Sequence, residues 1–240
     1  MTARKEDLKY DGRHLWDDLK SIYPLAFRQI RNHRLITALS AAVMLFSFYA
    51  DEYVRDFFAG IKHIQVLDSI FSFGHWFGNG GPTLYLFVLL YLAGIVFSYN
   101  KMRRAGLMIG EAFIFSGLVT LIIKSFFGRW RPYTNHGEAS FFWFTLGPND
   151  HLSLPSGHAT VAFALSSVLA GSTKNVFLKA FFYLLAAITA LSRIYHDQHW
   201  LSDVLLAAAI GIAIGNALVK LNTQRTVGNR LSAHLIDREI

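Results

Sequence analysis

The chain has 240 residues, is 53% hydrophobic and 15% aromatic, and carries a net charge of +7 with only 16% charged residues. A soluble domain carries about 25% charged residues, so an ordinary water-soluble globule is excluded. The absence of cysteine excludes disulfide scaffolds and thiolate chemistry, and leaves the redox compartment unspecified.

Charge collects at the N-terminus, in short loops and at the C-terminus, and apolar stretches lie between. A membrane-spanning helix needs about 20 such residues. The first thirty-odd residues are polar and mixed in charge, which predicts no cleaved signal peptide. Within them Leu15, Leu19, Ile22 and Ala26 form a weak apolar stripe. The first predicted span covers 35–50, closed by Asp51 and Glu52. Val54, Phe57, Phe58, Ile61 and Ile64 then recur at helical spacing with Arg55, Asp56 and Lys62 between them. That pattern fits a helix lying along a membrane surface, and equally one packed on the spans. Further spans are predicted at 82–99, at 105–127 with Glu111 and Lys124 inside, from the PSGH turn to about 172, at 176–192 and at 201–220. No internal repeat or low-complexity tract is present. The expected fold is all-α: a polytopic membrane protein of six transmembrane helices with an amphipathic interfacial segment. It divides into an amphipathic N-terminal segment (1–34), a six-span catalytic membrane domain (35–220) and a tail (221–240).

Lysine and arginine stay on the cytoplasmic side of short loops. With six spans, both termini and the turns near 100–104 and 173–175 share one side, and that side holds 17 of the 23 basic residues. Both termini are therefore expected in the cytoplasm, and the 51–81, 128–156 and 193–200 loops outside.

Lys124, Arg129 and Arg131 at the end of the third span, and Arg193 at the end of the fifth, are outward cations. Clustered cations repel one another, and a bound anion removes that cost. Guanidinium forks fit phosphate oxygens bidentately and lysine adds a point charge. The Ser156–Gly157–His158 turn opens a helix, whose free N–H groups and positive dipole end also suit phosphate. His199 and Asp203 are four apart and share a helix face. A carboxylate there holds one imidazole nitrogen protonated and frees the other to attack. His158 is a second imidazole at the same boundary, able to protonate a leaving oxygen. Together they describe phosphoryl transfer.

Three motifs carry these residues: Lys124, six residues, Arg131–Pro132; then Pro155–Ser156–Gly157–His158; then Ser192–Arg193, five residues, His199, three residues, Asp203. In spacing and order this resembles the type 2 phosphatidic acid phosphatase superfamily, over about 80 residues by motif and the last four spans by layout. The resemblance implies that Lys124, Arg131, Ser156, Gly157 and Arg193 bind the phosphate. It implies His158 as acid to the leaving alcohol and later as activator of water, His199 as a nucleophile forming a phosphohistidine, and Asp203 as its orienter. It implies no metal and no other cofactor.

The expected function is metal-independent hydrolysis of a lipid phosphate at the outer face of a bacterial inner membrane, with the bilayer and a lipid substrate as partners and no nucleic acid. Phosphatidylglycerol phosphate, phosphatidic acid, an isoprenoid diphosphate such as undecaprenyl diphosphate, and lipid A phosphates all satisfy the motifs. A lipid phosphotransferase is the alternative within the superfamily. A soluble vanadate haloperoxidase shares the motifs but not the spans. A non-catalytic transporter or scaffold would not need His158, His199 and Asp203 together. Four other features stand beside the site. "HDQH" offers a metal site through His196, Asp197 and His199, against the nucleophile reading of His199. Arg129 is expected on a headgroup or a loop in preference to the substrate. Glu111 reads as an intramembrane functional acid or a hydrogen bond between helices. Phe141 to Phe144 read as an interfacial aromatic belt in preference to a guide for a lipid chain.

Overall fold

The structure is a computed structural model that describes the backbone of residues 2–236, with side chains described for 11–226 except Ile30 and Ile36. The side chains of Arg4, Lys5, Lys9 and Arg230, and Arg238 altogether, lie outside the described residues. Eight α-helices and no sheet are found among the described residues. They are α1 Thr2–Asn32, α2 Arg34–Gly60, α3 Gln65–Gly78, α4 Gly80–Val96, α5 Asn100–Phe127, α6 Gly157–Gly171, α7 Val176–Tyr195 and α8 Leu201–Ile236. The all-α expectation holds.

Three helical stretches are long and apolar enough to cross a membrane: Asn100–Phe127, Val176–Tyr195 and Leu201–Thr226. Together α3 and α4 make a fourth, bent by 54° at Asn79. α6 is apolar but short, at 15 residues. On length and composition the described residues thus supply three or four of the six expected crossings.

Two boundaries differ from expectation. The helix expected to be the first span is not among these crossings and does not stop at Asp51; α2 runs on to Gly60 and absorbs most of the 54–64 amphipathic segment. An aspartate ends an apolar helix when its charge seeks water, but Asp51 is buried and paired with Arg129 and Ser202. The segment packs rather than floats: Phe58 is buried, and Val54 and Ile61 lie against the same cluster. The stripe on α1 also packs, with Ile22 and Ala26 buried against Met108, Ile109 and Leu218. The second difference is α3, which the sequence reading left inside a loop. Its glycines mark close packing instead of a turn, because a Cβ at Gly78 would come within 2.2 Å of Thr189 Cγ2 on α7.

The chain has two polar ends. At one, Asp11 pairs with Arg103, Asp18 with Arg225, and Arg104 donates to Thr226. Glu111 is buried there, lining a small cavity with Asp11, His14, Asp18 and Arg225. At the other, Arg55 pairs with Asp197, and the Tyr195 hydroxyl bonds Asp68. The expected outward loops therefore share one end, and the 100–104 turn shares the other with the segments around Asp18 and Arg225. Phe142, Trp143 and Phe144 are exposed at the outward-loop end; Trp143 and Phe144 pack edge-on against Phe126 of α5, and Trp143 is tilted against Phe127.

Candidate active site

α5 ends at Gly128, which adopts the left-handed conformation at φ +56° and donates its N–H to the Lys124 carbonyl at 2.8 Å. A Cβ there would sit 1.8 Å from the Phe142 carbonyl oxygen, so only glycine fits. The chain turns at once, and Arg129 bridges to Phe141. This turn carries Arg131 back to the 149–153 segment, which Lys124 reaches from the last turn of α5. Lys124 Nζ donates to the Leu152 carbonyl and lies 3.4 Å from that of Ser153. Arg131 donates from Nε to the Asn149 carbonyl at 2.9 Å, from Nη2 to Asn149 Oδ1 at 2.7 Å and from Nη1 to Gln198 Oε1 at 2.6 Å.

Ser156 is the N-cap of α6 and is fully buried; its Oγ accepts from the Ala159 N–H at 3.5 Å. Its own N–H donates to the Asp203 carbonyl at 3.2 Å, which ties the second motif to the third. Gly157 and His158 are the first helical residues, where the dipole favours an anion. Arg193, Arg131, Lys124 and His75 surround His158. Arg193 sits in the last turn of α7 and donates from Nη1 to His75 Nδ1. His158 Nε2 and Arg193 Nε are buried without a protein partner. Buried polar atoms rarely go unpaired, so a ligand with acceptor and donor oxygens fits between these two residues.

His199 is buried in the turn before α8. Its Nδ1 lies 3.4 Å from Ser153 Oγ and 3.6 Å from Asp203 Oδ2. The second distance is beyond a hydrogen bond. Ser153 closes the gap, because its hydroxyl donates to Asp203 Oδ2 while its oxygen faces the imidazole. The Trp200 N–H donates to the same carboxylate oxygen at 2.9 Å, and Arg129 Nη1 to the other oxygen at 2.8 Å. Burial pushes the His199 pKa well below its ordinary 6.5, against the opposite pull of Asp203 and with help from Lys124 and Arg131. At neutral pH the ring is therefore uncharged, with a lone pair on one nitrogen.

All eight residues singled out by the motifs meet at this end of the bundle. Arg129 makes the expected loop contact, on the Glu138 carbonyl, and is buried with its remaining donors on Ser202, Asp203 and Asp51. The "HDQH" residues take separate partners: His196 bonds the Ser192 carbonyl, Asp197 pairs with Arg55 and His199 faces Asp203. Sequence reasoning missed Ser153, Asp51 and His75. Ser153, two residues before Pro155, could have been found by asking what bonds the carboxylate. Asp51 and His75 lie far from the motifs and carry no local signal.

A sequence model of the PAP2 superfamily matches residues 105–226, just over half of the chain and all three motifs. The chain belongs to the PAP2 superfamily. Its PAP2 segment runs from α5 into α8, so α1 to α4, with Asp51 and His75, lie outside it. The lipid A 1-phosphatase of Porphyromonas gingivalis is 40% identical over 65 residues, 26% of this chain and 15% of that protein. A PA-phosphatase related-family protein of Dictyostelium discoideum is 32% identical over 131 residues, 48% of each chain. The chain thus spans less than half the length of these curated relatives. Two crystal structures share the PAP2 fold. That of LpxE from Aquifex aeolicus has a TM-score of 0.54 at 24% identity, covering 71% of this chain and 94% of that one. That of the PAP2 type phosphatidylglycerolphosphate phosphatase of Bacillus subtilis has a TM-score of 0.57 at 19% identity, covering 78% and 96%.

Proposed function

We propose that this PAP2 protein is a metal-independent lipid phosphate phosphatase that works through a phosphohistidine on His199. Six membrane crossings and a site facing the outside of a bacterial inner membrane complete the reading. The observation that carries it is the convergence of Lys124, Arg131 and Arg193 on His158 at the opening of α6, with Lys124 and Arg131 also acting on a buried, neutral His199 backed by Asp203.

The phosphoryl group lies among the three cations and the α6 N–H groups, which neutralise its charge as the P–O bond stretches. The free nitrogen of His199 attacks phosphorus, and a P–N bond forms as the ester P–O bond breaks. His158 gives its proton to the leaving lipid oxygen; the phosphate dianion beside it is what makes an imidazolium stable among those cations. Water then attacks the phosphohistidine, losing its proton to His158, and inorganic phosphate leaves. Asp203, through Ser153, keeps the proton of His199 on Nδ1 and balances the charge that grows on the ring.

The relatives named as lipid A 1-phosphatase and phosphatidylglycerolphosphate phosphatase support a large lipid with a phosphate headgroup. The exposed aromatic belt beside the site supports entry of that lipid sideways from the bilayer, with its chains still in hydrocarbon. The test is phosphate release by purified protein in detergent. The panel is phosphatidic acid, phosphatidylglycerol phosphate, undecaprenyl diphosphate and lipid A, each with EDTA present. Release from at least one, insensitive to EDTA, is the expected result. No release, or inhibition by EDTA reversed by one added metal, rejects the reading.

A further inference from the structure

Arg129 is a cation with nothing left to offer a ligand. Its Nε donates to the Glu138 carbonyl at 2.8 Å, and Nη2 to the same carbonyl at 2.6 Å. Nη1 donates to Ser202 Oγ at 2.6 Å and to Asp203 Oδ1 at 2.8 Å, and Nη2 to Asp51 Oδ2 at 2.7 Å. A guanidinium has five N–H donors, and all five are used. Phe48, Trp200 and Phe141 wall the group, with ring centroids 4.7, 5.5 and 5.7 Å from Cζ. Asp51 arrives from α2, outside the PAP2 segment. Its Oδ1 accepts from the Ser202 N–H at 2.8 Å and its Oδ2 from Ser202 Oγ at 2.6 Å. Ser202 immediately precedes Asp203, so α2 grips α8 at the residue before the orienting carboxylate.

Two buried carboxylates share one guanidinium, so with both ionised the cluster carries one net negative charge beside His199. With Asp51 neutral, Arg129 would cancel the Asp203 charge alone and draw its carboxylate away from the imidazole. We propose that Asp51 and Arg129 are positioning residues, by which α2 sets the orientation and the net charge of Asp203 behind the nucleophile. The inference rests on the reading of His199 as that nucleophile. Neither residue touches the substrate, so the loss on mutation falls on turnover and not on binding.

The test is a double-mutant cycle of Asp51→Asn and Arg129→Gln in detergent. It reads kcat and KM on short-chain phosphatidic acid, and Ki for inorganic phosphate. Asp51→Asn keeps the shape and one acceptor oxygen, and lowers kcat by about tenfold to 100-fold, with KM and Ki within about twofold; a misplacement of about 1 Å remote from the chemistry costs up to about 100-fold. Because Asp51 acts on Asp203 partly through Arg129 and partly through Ser202, the loss in the double variant is smaller than the product of the two single losses. If Arg129→Gln does not fold, Arg129→Lys takes its place in the cycle, since one ammonium cannot fork to both carboxylates. Wild-type kcat in Asp51→Asn, a loss confined to KM, or losses that multiply in the double variant would each overturn the inference. His199→Ala, run alongside, separates the two failures. If it still turns over, the nucleophile reading falls. If it is inactive while Asp51→Asn keeps wild-type kcat, only this inference falls.

Discussion

His199 faces Asp203 with 2% of its side chain exposed. Protonated, it has no lone pair with which to attack. Its pKa is lowered by burial, so the neutral form persists as pH falls through 6.5, where a free imidazole would already be charging. The acid limb of kcat/KM should therefore lie below 6.5. Two substrates with different phosphate pKa values separate enzyme from substrate, because a limb that belongs to His199 stays in place. A limb at or above 6.5 with both contradicts the assignment. Ser153 supplies a second expectation at this scale. Its hydroxyl bonds Asp203 and faces Nδ1 of His199, while the direct pair is 3.6 Å apart. Ser153→Ala should lower kcat on the order of tenfold to 100-fold with little change in KM, and His199→Ala should abolish turnover. A Ser153→Ala protein at wild-type kcat would show that Asp203 reaches the ring unaided.

Among the elements, the turn after α5 decides where Arg129 and Arg131 stand. Gly128→Ala must place a Cβ 1.8 Å from the Phe142 carbonyl oxygen at φ +56°. Backbone strain of this kind costs about 1–3 kcal/mol, and the clash moves the 128–145 loop as well. A lower Tm and a loss of phosphate release are expected together. An unchanged Tm would mean that the loop does not need this turn. Much of the site was legible because phosphate chemistry is local: a cation at a helix end, a small-residue N-cap and a His–Asp pair four residues apart each announce themselves within a few residues, although His199 stands in the turn before α8 and not on the helix face with Asp203. Asp51 and His75 were not legible. Each is one polar residue in an apolar or glycine-rich helix, and its meaning comes from partners more than a hundred residues away, Ser202 for one and Arg193 for the other. The same reason hid α3. Gly74 and Gly78 serve contacts with α7, and a single sequence cannot distinguish glycine that packs from glycine that turns.

For the whole molecule, polarity at both ends of the bundle implies a direction across the membrane. The proposed orientation puts the Glu138–Asp150 loop outside and the Arg225 end in the cytoplasm. In this cysteine-free chain, Ala139→Cys and Gln224→Cys both introduce a thiol at an exposed position. A membrane-impermeant thiol reagent on intact spheroplasts should label Ala139→Cys and spare Gln224→Cys; the reverse labelling would invert the topology. The helices outside the PAP2 segment also have a place at this scale, since α2 brings Asp51 to Ser202 and α3 brings His75 to Arg193. The central claim is a covalent step on one nitrogen, and a rapid quench reads it. Protein mixed with a substrate labelled in its phosphate, stopped within one turnover, should carry label that is stable in alkali and lost in acid. Peptide mapping should place that label on His199, and His199→Ala should carry none. Turnover with no trapped phosphoprotein at any quench time, or label on another residue, would contradict the account.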